Sequence, residues 1–106
     1  TYNTYDKEVI RKVYADVLAD ENSFAFFLMD GDTWEMKSPR SDSLKAIERN
    51  VKRARNQSPC VVLDSRRMRK VPDAAIEREL RRCAKTIKGI RRLLLVDRHG
   101  SVTTIL

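Results

Sequence analysis

Apolar residues recur along this chain in two rhythms, and the places where one gives way to the other mark out its elements. Over residues 5 to 20, Val9, Ile10, Val13, Val17 and Leu18 fall on one side at helical spacing, with Thr4 or Asp6 placed to cap the first turn. This predicts a first helix, with Tyr2, Tyr5 and Tyr14 on or before it as packing residues. The run SFAFFLM is bulky and apolar, Asp30-Gly31 supplies the residues a two-residue hairpin turn demands, and TWEMK answers as the return strand. A hairpin is expected over residues 24 to 38. Ser41 or Ser43 caps a second helix reaching about Asn56, in which Leu44, Ile47, Val51 and Ala54 form the buried stripe. SPCVVLD reads as a short buried strand. Pro72-Asp73 opens a third helix with Ile76, Leu80, Cys83, Ala84 and Ile87 inward and Lys88-Gly89 near its end. IRRLLLVDRHGSVTTIL closes the chain as two strands around Arg98-His99-Gly100.

The resulting order, α-β-β-α-β-α-β-β, implies an α/β (α+β) domain with a mixed sheet of about five strands and three helices. A length of 106 residues fits one domain over residues 1 to 106, and 42% hydrophobic residues suffice for a modest core. There is no internal repeat, and only the polar loop 65 to 72 interrupts the pattern. No run of about 20 apolar residues is present and Thr1 starts no basic-then-apolar leader, so the domain is expected neither to embed in a membrane nor to be exported by itself.

Hairpin register follows from the turn. With Asp30-Gly31 at its corner, Met29 faces Asp32, Leu28 faces Thr33, Phe27 faces Trp34 and Phe26 faces Glu35. Trp34 and Met36 then share a face with Phe27, while Glu35 and Lys37 share the other with Phe26. Both faces carry large apolar groups, so both are expected to be at least partly covered.

Charge sharpens the picture because it is unevenly spread. The net +7 divides into residues 1 to 38, with four Lys/Arg against eight Asp/Glu, and residues 39 to 106, with eighteen against seven. In the second helix Lys45, Arg49, Lys52 and Arg53 recur away from the buried stripe, and Arg66, Arg67, Arg69 and Lys70 crowd one loop. A solvated basic surface is the plain alternative. The clustering favours a polyanionic partner, nucleic acid first, since like charges this close repel without an anion. Cys60 and Cys83 lie without a CxxC or a neighbouring His, which speaks against zinc; both read as small buried residues, with pairing left open.

Glu35 and Lys37, two apart in a strand, emerge on one face about 7 Å apart at the backbone. That suits a carboxylate acting as base or metal ligand beside an ammonium that neutralises a phosphoryl oxygen. A bare Glu-x-Lys is common, and a solvated ion pair worth about 0 to 1 kcal/mol is its ordinary meaning. Around it, DGDTWEMKSP, LKAIERNVKRARNQS, CVVLDSRRM and IRRLLLVDRHGSV occur in that order. In this order they resemble the C-terminal toxin domains of bacterial contact-dependent growth inhibition proteins and related polymorphic or phage-borne nucleases.

The resemblance covers roughly residues 24 to 106. It implies a small cytotoxic nuclease, often acting on transfer RNA. Such a toxin is delivered as part of a larger secreted or cell-surface protein, acts in the target-cell cytoplasm, and is neutralised at home by an immunity protein. The basic charge of this chain makes that partner acidic. Onto this sequence the resemblance carries Glu35 and Lys37 as site residues, Gln57 at the end of the second helix, Asp64 after its strand, and Arg66 and Arg67 as phosphate contacts. Gln57 competes with a role at the helix end, and Asp64 with turn capping.

Two mechanisms stay open within that family. A PD-(D/E)xK site holds a divalent cation, Mg²⁺ or Zn²⁺, between Glu and a second carboxylate on the neighbouring strand. Here Phe26 stands across from Glu35, and Asp30 and Asp32 lie in or beside the turn. Metal-free RNA cleavage needs only a base, an acid and cations, for which Glu35, Lys37, Arg66 and His99 are of the right types. His99, in an Arg-His-Gly turn, is of a residue type suited to proton transfer, but an exposed, idle imidazole is the more common outcome there. The favoured expectation is a metal-free endoribonuclease without cofactor. A non-catalytic nucleic-acid-binding module is the reading from a different class.

Overall fold

The computed structural model describes residues 7–19 and 24–106. Its elements are α1 (Lys7–Ala19), β1 (Phe24–Met29), β2 (Asp32–Lys37), α2 (Leu44–Gln57), β3 (Cys60–Asp64), α3 (Asp73–Thr86), β4 (Arg92–Val96) and β5 (Val102–Thr104). The order and type of elements are those the apolar rhythm predicts. Thr4, Asp6, Tyr2 and Tyr5 lie outside the described residues, as do the side chains of Tyr14, Val17 and Leu18.

One sheet runs β1-β2-β3-β4-β5, antiparallel at its two edges and parallel through β2, β3 and β4. Asp30 and Gly31 both take positive φ, 53° and 82°, as a tight hairpin corner requires. Phe26 accordingly pairs with Glu35 and Phe27 with Trp34, the register expected from the turn. Parallel neighbours need crossovers, and α2 and α3 supply them. Ser43 caps α2 by accepting from the Ala46 N–H at 3.2 Å.

Strand alternation sorts the core into two layers. Val61, Leu63, Leu93 and Leu95 pack under Ile47, Val51 and Ala54 of α2 and Ile76, Leu80 and Cys83 of α3. On the opposite face, Trp34, Met36, Cys60, Val62, Leu94 and Val96 pack with Ile10 of α1. The two cysteines thus lie on opposite sides of the sheet, and both are free and buried.

The face of the hairpin bearing Glu35 is covered only in part, within what the sequence leads one to expect: Glu35 is buried, while Phe24, Phe26 and Leu28 are 54%, 55% and 67% exposed. Two crossover helices suffice to roof β3, β4 and the inner margin of β2, and β1 lies beyond their reach.

Candidate functional site

Two rows of side chains cross the helix-covered face of the sheet, Phe26–Glu35–Val61–Leu93 and Phe24–Lys37–Leu63–Leu95. Under α2 and α3 both rows are aliphatic. On β2, where the helical roof ends, they become charged, and on β1 they become aromatic and open to solvent. Phe24, Phe26, Glu35, Lys37 and Gln57 line the cleft formed there, about 360 Å³ in volume.

Within it, Lys37 Nζ lies 3.1 Å from Glu35 Oε2, with the side chains 16% and 4% exposed. The same ammonium stands 5.1 Å from the centre of the Phe24 ring, a cation–π distance. This pair is therefore far from a solvated surface bridge. Enclosure removes competing water, so each charge acts on a bound group more strongly than it would on an open surface.

Gln57 reaches the cleft because the α2–β3 turn is pinned to β2. The Ser58 hydroxyl donates to the Thr33 carbonyl at 2.6 Å and accepts the Cys60 N–H at 3.1 Å. The Ser58 N–H closes the helix on the Ala54 carbonyl, so backbone rather than the Gln57 carboxamide terminates α2. Lys45, Arg49 and Arg53 precede Gln57 at four-residue intervals and are exposed, forming a row along one flank of α2 that leads to the cleft. Lys52 leaves that row and faces Glu48 at 4.0 Å.

Asp64 is elsewhere. As the last residue of β3 it alternates away from Leu63, on the face opposite Glu35, and is fully buried. Its carboxylate accepts the Arg66 N–H at 3.0 Å, and Arg66 Nε and Nη2 at 2.8 and 2.7 Å. This is a forked pair that shapes the loop after β3. Asp42 accepts the N–H groups of Lys70 and Val71 at 2.6 and 3.2 Å and holds the loop's far end.

That loop forms a second cleft, of about 780 Å³, with Arg66, Arg67, Arg69, Arg98 and His99 around it. It lies at the carboxyl ends of the parallel strands, where open α/β sheets bind ligands. Arg67 Nη1 is buried there without a hydrogen-bond partner among the described residues. Arg98, which sequence reasoning passed over, is held by Asp73 at 3.1 Å and by the Met68 carbonyl at 3.3 Å. His99 sits in the β4–β5 turn, its N–H donating to Asp97 at 2.8 Å, and does not line the cleft of Glu35 and Lys37.

Nor do Asp30, Asp32 and Glu35 come together. Asp30 occupies the turn, while Asp32 lies on the other face by alternation and takes Arg91 Nη2 at 2.6 Å. Among the described residues, no group of three His, Cys, Asp or Glu side chains gathers as a metal site would need. Sequence reasoning also passed over Phe24 and Phe26 as cleft residues, although the hairpin register had already set them beside Lys37 and Glu35.

The family model described as the contact-dependent growth inhibition CdiA C-terminal domain matches residues 27–102. A solved structure, the CdiA-CT/CdiI toxin and immunity complex from Burkholderia pseudomallei, has a chain of the same fold. It aligns over 91% of this chain and 82% of that one, with a TM-score of 0.60 and 16% identity. No curated protein matches the sequence. Among the described residues, no helix is long and apolar enough to cross a membrane.

Proposed function

The chain belongs to the contact-dependent growth inhibition CdiA C-terminal domain family, and from that premise we propose that it is a cytotoxic endoribonuclease, acting on transfer RNA first and without a metal ion. The observation that carries this reading is the enclosed Glu35–Lys37 pair, 3.1 Å apart in an open cleft with Gln57 beside it.

In this reading Glu35 takes the proton of a ribose 2′-OH, and that oxygen attacks the adjacent phosphorus. Lys37 offsets the charge that builds on the phosphorane oxygens, and the Gln57 carboxamide donates a further N–H to them. The ammonium of Lys37 then protonates the departing 5′-oxygen, leaving a 2′,3′-cyclic phosphate. Lys45, Arg49 and Arg53 guide the backbone along α2, with Lys52 on the adjoining face. Arg67, Arg69 and Lys70 hold phosphates at the second cleft, where an anion would satisfy the buried Arg67 Nη1, while the Asp64–Arg66 fork keeps the loop in shape.

The Burkholderia relative is a toxin with its immunity protein. By that likeness this domain is delivered as part of a larger secreted or surface-borne toxin and acts in the target-cell cytoplasm. An acidic immunity protein, attracted by the basic surface, neutralises it by covering the cleft.

The test is to incubate the protein with total RNA in EDTA and map new ends. Expected are cyclic-phosphate ends in transfer RNA, with Glu35→Gln slower by about 10²- to 10⁴-fold at unchanged fold. Cleavage that EDTA abolishes would establish the metal-dependent alternative instead, and intact RNA under every condition would leave a binding module.

A further inference from the structure

β1 is an edge strand with two unlike faces. Ala25, Phe27 and Met29 are turned toward the α1 layer and are covered to varying degrees, whereas Phe24, Phe26 and Leu28 stand more than half exposed on the other face. Three large apolar groups in a row on an open edge are costly to solubility and invite strand pairing, so their retention calls for a use. Their setting suggests one. Phe26 pairs across the hairpin with Glu35 and Phe24 with Lys37, and the Lys37 ammonium stands 5.1 Å from the Phe24 ring centre.

We propose that Phe24 and Phe26 form a stacking ledge for an unpaired nucleobase, so that the substrate is RNA in a loop, bulge or single-stranded tail rather than a duplex. This rests on the ribonuclease reading of the same cleft. Alternate residues of a strand are about 7 Å apart, which is twice the ~3.5 Å contact distance between flat carbon surfaces. One base fits between the two rings, and Leu28 extends the shelf beyond them. A base on the ledge sets its own ribose toward Glu35 and the next phosphate toward Lys37. A base inside a duplex is stacked on its neighbours and cannot enter; unpaired bases stack readily on aromatic side chains. The flanking charge favours nucleic acid over an apolar protein surface: Lys37 borders the rings, and Arg49 and Arg53 approach along α2.

The experiment measures binding of 2′-O-methyl oligoribonucleotides, which carry no attacking hydroxyl, by the unsubstituted protein and by Phe24→Ala, Phe26→Ala and Phe26→Trp. One probe is single-stranded and the other is the same sequence as a blunt duplex. Each alanine substitution is expected to weaken single-strand binding by about 5- to 150-fold, the range for loss of one base–aromatic stack. Duplex binding is expected to stay within about twofold, and Phe26→Trp to retain affinity. Because both rings are more than half exposed, neither truncation opens the core. Unchanged single-strand affinity, or equal loss on both probes, overturns the ledge. So does a dimer in sedimentation that Phe26→Ala dissolves, which would make the face an interface between copies. The ribonuclease reading fails separately, by intact RNA in the cleavage assay, since binding of these probes does not depend on turnover.

Discussion

Single residues in this protein act according to what encloses them. Glu35 and Lys37 are largely enclosed but line a cleft that a ligand can enter; Asp64, fully buried and forked by Arg66, does not line it. Asp64→Asn removes the buried charge that forks onto the Arg66 guanidinium and is expected to cost about 3–5 kcal/mol in urea unfolding. Its effect on cleavage should follow the fraction of folded protein. Cys83 shows enclosure acting on a neutral group. Burial, with the Glu79 carboxylate nearby, pushes its thiol up to about 11. Alkylation at pH 8 is therefore expected to spare Cys83 in folded protein and modify it in urea. The folded state holds this proton to higher pH than the unfolded chain does. Its stabilising contribution is present below the ordinary thiol range and declines as pH rises toward 11.

Among elements, the α2–α3 pair carries the roof that ends over β2, and one arginine ties it together. Arg82 of α3 donates to Glu48 of α2 at 2.9 Å and to Glu79 on its own helix. The hydrogen bond from Arg82, with the charge of Lys52, holds the Glu48 carboxyl below its ordinary range. Removing the arginine by Arg82→Ala should raise the Glu48 titration midpoint toward that range, as followed by carboxyl NMR shifts. The other end of α2 is tied by Arg55 Nη1, which donates to the Lys88 carbonyl at 3.0 Å. There Gly89 holds a φ of 91°, and a Cβ on it would lie 3.0 Å from Arg55 Cδ. Helix stripes and the hairpin turn were legible in the sequence because each depends on neighbours within a few residues. That α2 and α3 share one face was not, since it depends on which way two crossovers pack.

At the scale of the whole molecule, most of the excess positive charge of residues 39–106 falls on α2 and the loop after β3, and Lys88, Arg91, Arg92 and Arg98 add to it. RNA binding should weaken linearly in log–log salt plots, by roughly 0.7 in slope for each single-strand phosphate neutralised. Arg67→Ala is expected to reduce that slope by about one contact, measured by fluorescence anisotropy between 50 and 200 mM salt. A slope unchanged by Arg67→Ala would remove the second cleft from the RNA path.

The chain's own pattern determined the element order, the Asp30-Gly31 turn and, through it, the pairing of Phe26 with Glu35. These follow from short-range rules of periodicity and turn geometry that no distant contact overrides here. It also pointed to Glu35 and Lys37, and the family resemblance to Gln57, which the fold brings to one cleft. Only the tertiary structure decided that Asp64 faces the other way and that His99 belongs to a different cleft. It also decided that Phe24 and Phe26 stand open beside the charged pair. The physical reason is the extent of the helical roof: two crossovers cover β3, β4 and the inner margin of β2 and leave that face of β1 open. No local rhythm of apolar residues records where that cover stops.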